Sequence, residues 1–232
     1  GSINTTKTSA NVDAGFSIVS YTGTGSAATV GHGLSKAPEF VVVKKRNASG
    51  TSWVTLSMYA AASSPENYYS KLEQTDNFTD HATIEMWGDT APTANVFSIG
   101  DHTWNNGSSE TYIAYCFHSV DGYSKMGSYT GNGNADGTFI YTGFRPAFIM
   151  FKATSRAGDW VIMDSKRTTT YNPNIGTLYA NTSGAENTSI DRGDQLSNGF
   201  KLHSTSPAVN ESGSSYIFLA FAETPFKYSN AR

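Results

Sequence analysis

The chain repeats its own sequence pattern once, about 105 residues further along. Three pairs of segments carry the repeat: Ser20–Gly23 with Ser128–Gly131, Ala37–Lys44 with Arg145–Lys152, and Tyr112–Phe117 with Tyr216–Phe221. A period of this length is too long for a solenoid repeat and suits a duplicated small domain. Segments that the halves share are therefore predicted to carry the fold, and segments that differ are free to specialise.

The repeat also predicts how the 232 residues divide. The first domain is expected over residues 14–125 and the second over residues 126–232. Residues 1–13 are expected to be a tag remnant and a linker, because Gly1-Ser2 resembles the remnant of a cloning site. On this interpretation the chain is a fragment of a longer polypeptide.

Composition and local pattern predict an all-β fold. Glycine numbers 22, aromatic residues reach 13%, and Ser, Thr and Asn fill the segments between apolar runs, a mixture typical of strands joined by many turns. We predict two tandem β-sandwich units of jelly-roll or lectin-like type, related by internal duplication. The nearly continuous apolar runs Tyr112–Phe117 and Tyr216–Phe221 are expected to be central strands covered on both faces. A short helix is predicted from Pro65 to about Leu72.

Low charge argues against two classes of partner. Charged residues make up 15% of the chain and the formal net charge is -3, so no broad basic field exists to hold nucleic acid or an anionic membrane. No window approaches 18 consecutive apolar residues, so membrane insertion is not expected. Cys116 is the only cysteine, and its apolar neighbours predict a buried structural thiol.

Signals for catalysis and for metal binding are weak. The five histidines are scattered without a short ligand spacing, and the chain has no Asp-x-Asp-x-Asp-Gly loop for calcium. A glycoside hydrolase needs two carboxyl groups about 5–5.5 Å apart for retention or about 6.5–9.5 Å apart for inversion. In an extended strand Glu85 and Asp89 would lie roughly 13 Å apart. A non-catalytic protein without a cofactor or metal is therefore expected.

Two clusters of polar and aromatic residues are candidate ligand contacts. If residues 85–89 form a strand, Glu85, Trp87 and Asp89 share a face on which the indole can stack on a sugar ring and the carboxylates can accept hydroxyl hydrogen bonds. The alternative is that Trp87 points into the core. The second cluster lies in a predicted loop and contains Asp101, His102, Trp104 and Asn105.

Tyr171 is a further candidate ligand contact. It lies in a segment, residues 164–199, that differs between the halves and is rich in polar residues. Loops of this kind on a rigid scaffold commonly carry binding residues.

Several motifs of the chain resemble a bacteriophage family. The motifs are Gly31–Pro38, Gly127–Gly133, Tyr141–Phe148 and Phe221–Arg232. They resemble a domain of unknown function associated with the tail fibres and adhesins of marine and other phages, and the likeness covers about residues 14–232. The resemblance implies a location in the virion tail and contact with a host surface; it implies no catalytic residue.

Together these observations predict a non-catalytic module of a phage tail fibre or adhesin that binds carbohydrate on the host cell surface. Other virion tail proteins are the second expected partner. Binding at each site is expected to be weak, so oligomerisation, by analogy with phage fibres as a trimer, would supply avidity. Two alternatives stay open: a structural virion module without a ligand, and a glycan depolymerase whose carboxylates come together from distant segments or from a neighbouring subunit.

Overall fold

The computed structural model describes residues 1–80, 83–167, 172 and 176–225, and in these residues the protein is nearly all β, as predicted. The chain divides into two compact units, the first made of Gly1–Glu73 and Phe78–His118, the second of Gln74–Asn77 and Ser119–Arg232. The second unit thus begins before the predicted boundary at residue 126. It does so because the N–H of Met126 donates to Ser119 Oγ over 3.0 Å, which joins the preceding turn to that unit.

The first unit contains nine strands within its described residues. They are β1 (Lys7–Asn11), β2 (Phe16–Thr22), β3 (Ala28–Gly31), β4 (Phe40–Lys45), β5 (Trp53–Ser57), β6 (Tyr68–Lys71), β7 (Thr79–Asp80), β8 (Val96–Ile99) and β9 (Thr111–Phe117). A 3-10 helix covers Pro65–Asn67, and a one-turn helix, α1, covers Thr103–Asn106. The larger sheet has the order β1-β2-β9-β4-β5-β6-β7, and β3 pairs with β8. All these pairs are antiparallel.

The second unit contains eight strands within its described residues. They are β10 (Ser124–Thr130), β11 (Phe139–Tyr141), β12 (Pro146–Ala153), β13 (Val161–Asp164), β14 (Leu178–Tyr179), β15 (Gly193–Leu196), β16 (Gly199–Leu202) and β17 (Ser215–Ala222). Its larger sheet has the order β10-β17-β12-β13-β14, and its smaller sheet the order β11-β16-β15.

The two units repeat one strand order. The run β2-β9-β4-β5-β6 of the first unit corresponds to β10-β17-β12-β13-β14 of the second, and the pair β3-β8 corresponds to β11-β16. β9 and β17 are internal strands, as predicted. In each unit, buried side chains of both sheets share one core, for example Val43, Ala114 and Phe97 in the first unit and Phe151, Phe218 and Phe200 in the second.

A stacked pair of tyrosines lies in the core of each unit. The rings of Tyr21 and Tyr112 are 5.3 Å apart at 20°, and those of Tyr129 and Tyr216 are 5.1 Å apart at 10°. Buried hydroxyls need hydrogen-bond partners, and these four donate to backbone carbonyls at 2.7–2.8 Å: Tyr21 to Asn105, Tyr129 to Val209, Tyr112 to Thr103 and Tyr216 to Pro207.

A fully buried asparagine holds the loop before the last strand in each unit. Asn106 Nδ2 donates to the carbonyls of Ser26 and Gly100, at 2.7 and 2.6 Å, and its Oδ1 accepts from the N–H of Thr24 at 2.8 Å. In the second unit Asn210 makes the equivalent set of contacts, with Oδ1 accepting from the N–H of Asn132 at 3.0 Å. The repeat therefore includes the polar interior of each unit as well as its apolar core.

Three local predictions are corrected by the structure. The helix begins at Pro65 but ends at Asn67, because the next residues form β6, whose first half pairs with β7 and whose second half pairs with β5. This pairing outweighs helix propensity. Residues 7–11, predicted as linker, form edge strand β1 along the whole of Lys7–Asn11. β9 has only one fully buried face, since its side chains alternate between buried and half-buried.

Cys116 is buried in β9, as predicted. Burial raises the pKa of its thiol to about 12, so the nucleophilic thiolate is scarce near pH 8. We expect native protein to resist iodoacetamide at about pH 8 and the urea-unfolded chain to react fully, as measured by mass spectrometry. Alkylation of the native protein at the rate of the unfolded chain would contradict the assignment.

Candidate functional site

Trp87 lies in the core of the first unit. Residues 83–89 form turns rather than a strand, and the Trp87 side chain is 1% exposed within the main buried cluster. The close packing of this turn depends on Gly100, where a Cβ atom would lie 1.6 Å from the carbonyl oxygen of Glu85. The turn directs the large apolar indole inward while Glu85 and Asp89 stay exposed. The predicted binding face of Glu85, Trp87 and Asp89 is therefore wrong.

Trp104 lies on α1 at the edge of the first unit's core. His102 caps this helix, because its Nδ1 accepts from the N–H of Trp104 at 3.2 Å. The half-buried indole has its ring centroid 4.5 Å from that of His102 and 6.0 Å from that of Tyr69, and the Lys71 ammonium lies 4.6 Å from it. The structure thus brings together Trp104 and His102, as predicted, and adds two residues of β6.

The electrostatics of this cluster limit what it can bind. Burial lowers the pKa of His102, while the carboxylate of Asp101 acts in the opposite direction and Lys71 lowers it further, so the ring is neutral at pH 7. The Lys71 ammonium lies over the indole, where the cation–π attraction holds it. A sugar stacking on Trp104 would have to compete with this cation.

Asn105 is a structural residue. It is 0% exposed, and its Nδ2 donates to the carbonyl of Met86 at 2.5 Å. A buried amide cannot meet a ligand in solution, so its prediction as a ligand contact is wrong. Asp101 is exposed at the start of the loop. Tyr171 lies outside the described residues.

The second unit has a groove that the sequence did not indicate as a site. Its volume is about 720 Å³, within the range of small-molecule sites. The lining includes Tyr141, Thr142, Arg145, Lys125, Glu223 and Thr224. Tyr141 is 65% exposed at the end of edge strand β11, whereas its neighbour Ile140 is 7% exposed and faces the core.

A tight turn positions the tyrosine beside the groove. The N–H groups of Thr142 and Gly143 both donate to the carbonyl of Asn198, at 3.0 and 3.1 Å. Gly143 has a φ of 86°, a left-handed conformation that glycine adopts at low cost. The turn is thereby fixed to the hairpin between β15 and β16, and its geometry directs the chain from β11 along the groove toward β12.

The groove combines an aromatic surface with balanced charge. Its lining carries two acidic residues, Asp121 and Glu223, and two basic ones, Lys125 and Arg145. The Lys166 ammonium pairs with Glu223 Oε1 at 3.0 Å. Such a surface offers hydrogen-bond donors and acceptors around one exposed ring without a strong net field.

A difference between the halves could have indicated this groove. The pairs Val30↔Phe97 and Ile140↔Phe200 occupy equivalent positions in the two smaller sheets, so Tyr141 corresponds to Gly31. An exposed tyrosine in place of glycine within a repeated segment is a sign of specialisation in the second half. This correspondence between Tyr141 and Gly31 can be recognised only once the register of the two sheets is known.

Across residues 1–80, 83–167, 172 and 176–225, no group of three or more His, Cys, Asp and Glu side chains is arranged to hold a metal ion. In the same part of the chain, no helix is long and apolar enough to cross a membrane.

Comparison with known proteins gives one match. The model of a family described as Domain of unknown function (DUF7483) matches residues 1–225. No curated protein and no solved structure matches the chain.

Proposed function

The chain belongs to the DUF7483 family, whose function is unknown, and we propose that it is a non-catalytic module that binds carbohydrate in the groove of its second unit. The observation that carries the proposal is Tyr141, a ring that is 65% exposed at the wall of a groove of about 720 Å³. Among the described residues Tyr141 is the most exposed large hydrophobic side chain, and a ring left in solvent beside hydroxyl and charged groups suits a ligand with an apolar face and a polar rim.

A pyranose ring has these two properties. Its C–H face can stack on the phenol of Tyr141, and its hydroxyl groups can exchange hydrogen bonds with Thr224, Lys125 and the carboxylates of the lining. The charges of the lining balance, which favours a neutral or weakly charged glycan over a polyanion. The groove therefore fits the chemistry of a surface polysaccharide better than the Trp104 cluster, where a cation already covers the indole.

The location of the protein and the β-sandwich architecture of its two units are part of the same proposal. The motifs that resemble phage tail domains support a place in a virion tail, with a host surface glycan as ligand, other tail proteins as partners and a trimer as the assembly. The core shared by the two sheets of each unit supports a lectin-like β-sandwich in each half.

The experiment that tests the function is binding of the purified chain to an array of bacterial surface polysaccharides. We expect Tyr141→Ala to weaken binding about twofold to twelvefold, since an aromatic contact contributes about 0.5–1.5 kcal/mol. Tyr141→Phe retains the ring and is expected to bind within about threefold of the unchanged protein. Because Tyr141 is exposed, both variants should keep their stability within about 0.5 kcal/mol.

Trp104→Ala is the matched comparison in the first unit. We expect it to bind the array as the unchanged protein does. Binding lost in Trp104→Ala and kept in Tyr141→Ala would contradict the groove and move the site to the first unit. A folded chain that binds nothing on the array would favour a structural virion module.

A further inference from the structure

A buried lysine in the second unit holds a short peptide segment. The segment is Gln74–Asn77, which belongs to this unit although it follows Glu73 in the sequence. Lys152 Nζ donates to the carbonyl of Thr75 at 3.0 Å, and the N–H of Gly158 donates to the same carbonyl at 2.8 Å. One backbone carbonyl thus accepts two hydrogen bonds from the hairpin that joins β12 to β13.

The environment of this lysine shows that the segment is an integral partner. Lys152 and Trp160 are both 0% exposed, and the ammonium lies 5.9 Å from the centroid of the indole. Burial lowers the pKa of Lys152 to about 8, although the carboxylates of Asp159 and Asp76 act in the opposite direction. A buried ammonium is costly unless it is hydrogen-bonded, and the carbonyls of Thr75 and Gly158 accept from it.

The first unit has the same hairpin without the segment. Lys44 lies opposite Trp53 in the β4–β5 ladder, its ammonium is 5.5 Å from the indole centroid, and it donates to the carbonyl of Thr51 as Lys152 does to that of Gly158. Lys44 and Trp53 are only half-buried, in contrast to their fully buried counterparts. Thr51 Oγ1 is buried without a hydrogen-bond partner among the described residues.

The bound segment Gln74–Asn77 has a counterpart elsewhere in the chain, and this counterpart is exposed. The backbone N–H of Trp53 donates to Glu73 Oε2 at 3.0 Å, and the backbone N–H of Trp160 donates to Asn181 Oδ1 at 3.0 Å. Glu73 and Asn181 are therefore equivalent, so Gln74–Asn77 corresponds to Thr182–Ala185. All four residues of Thr182–Ala185 are exposed.

We infer that Thr182–Ala185 of one copy of this chain binds the Lys44–Trp53 hairpin of a second copy, with the Ser183 carbonyl in the role of the Thr75 carbonyl. The second copy is the occupant because this chain itself contains the matching segment, exposed, as well as the matching hairpin. Each copy offers one segment and one hairpin, so the interface is heterologous and copies join head to tail, into a ring or an open chain.

The chemistry of the interface predicts weak binding. In the second unit Lys152 and the backbone N–H of Gly158 both donate to a backbone carbonyl of the segment, and the carboxylate of Asp76 acts on the same lysine. The small residues of Thr182–Ala185 are compatible with that mode. A short segment with few contacts binds weakly on its own, and attachment to a common scaffold would raise the effective concentration.

A charge series at Gly184 tests the inference by sedimentation equilibrium. Gly184 corresponds to Asp76, whose carboxylate acts on Lys152, and a Cβ atom at Gly184 would meet only Thr182 Oγ1, at 3.6 Å. Side chains are therefore tolerated there. We expect Gly184→Asp to strengthen self-association about threefold to fivefold and Gly184→Lys to weaken it by a similar factor, with Gly184→Ser close to the unchanged chain.

Variants of the hairpin complete the test. Lys44→Met should weaken self-association at least about tenfold. In the Lys44→Met background, Gly184→Asp and Gly184→Lys should no longer differ. The control Lys36→Met, at an exposed loop lysine, should have no effect. A mixture of Lys44→Met and Gly184→Lys chains should form dimers, since one keeps the segment and the other the hairpin. A protein that stays at 24.9 kDa up to about 1 mM, or an association insensitive to the charge at 184, would overturn the inference.

Discussion

Replacing Trp87 with alanine is expected to lower the free energy of unfolding of the first unit by about 3–5 kcal/mol, the range found for large aromatic side chains in cores. The indole is 1% exposed and lies in the main buried cluster, so its removal leaves a cavity that the surrounding strands fill only in part. Urea unfolding followed by circular dichroism measures the change.

The matched control is Trp87→Phe. The indole Nε1 is buried and has no hydrogen-bond partner among the described residues, so phenylalanine removes no hydrogen bond and a smaller cavity results. We expect a loss below about 1.5 kcal/mol. A change in stability below about 0.5 kcal/mol for Trp87→Ala would contradict the burial of the indole and return Trp87 to the surface as a candidate ligand contact.

Replacing Asn106 with alanine is expected to destabilise the first unit by about 3–5 kcal/mol. The substitution leaves the N–H of Thr24 and the carbonyls of Ser26 and Gly100 without the partner that they now share. The bond to Gly100 is buried, and an unsatisfied buried group costs about 1–3 kcal/mol. The groups of Thr24 and Ser26 are part-buried, so each costs less because water can reach it. Chemical denaturation with hydrogen exchange of the Thr24 amide measures both the global and the local effect.

Two further variants serve as a parallel test and as a control for the Asn106→Ala prediction. Asn210→Ala should cause a similar loss in the second unit, because Asn210 makes the equivalent contacts. Asn95→Ala, at an exposed loop position, should change the stability by no more than about 0.5 kcal/mol. Equal, small effects of all three substitutions would show that the buried amides do not hold the loops.

Much of the fold could be predicted from local pattern. The apolar run after Pro38 is β4, and the runs near the ends of the halves are the internal strands β9 and β17. These predictions succeeded because β-branched and aromatic residues between turn signals favour strands wherever they occur. The prediction of the short helix failed after Asn67, where pairing with β7 and β5 decided the conformation. That pairing depends on residues outside the local segment.

Less of the candidate site could be predicted. The proximity of His102 and Trp104 follows from their spacing, and it is present. The burial of Asn105 and Trp87 does not follow from spacing, because a turn and a strand of the same residues direct side chains to different sides. The groove beside Tyr141 needs four separate segments: residues 121–125 at the start of β10, residues 141–145 from the end of β11, Ser197 between β15 and β16, and residues 223–224 after β17.

The sequence by itself determined the strand-rich class of this protein and its two repeated halves, because alternation, turn residues and duplication are properties of short or directly comparable segments. Only the tertiary structure decided which aromatic rings meet solvent. Trp87 and Tyr141 are both large rings beside polar residues, yet the first is 1% exposed and the second 65%. Burial depends on contacts between segments far apart in the chain, and these exist only once the sheets have paired.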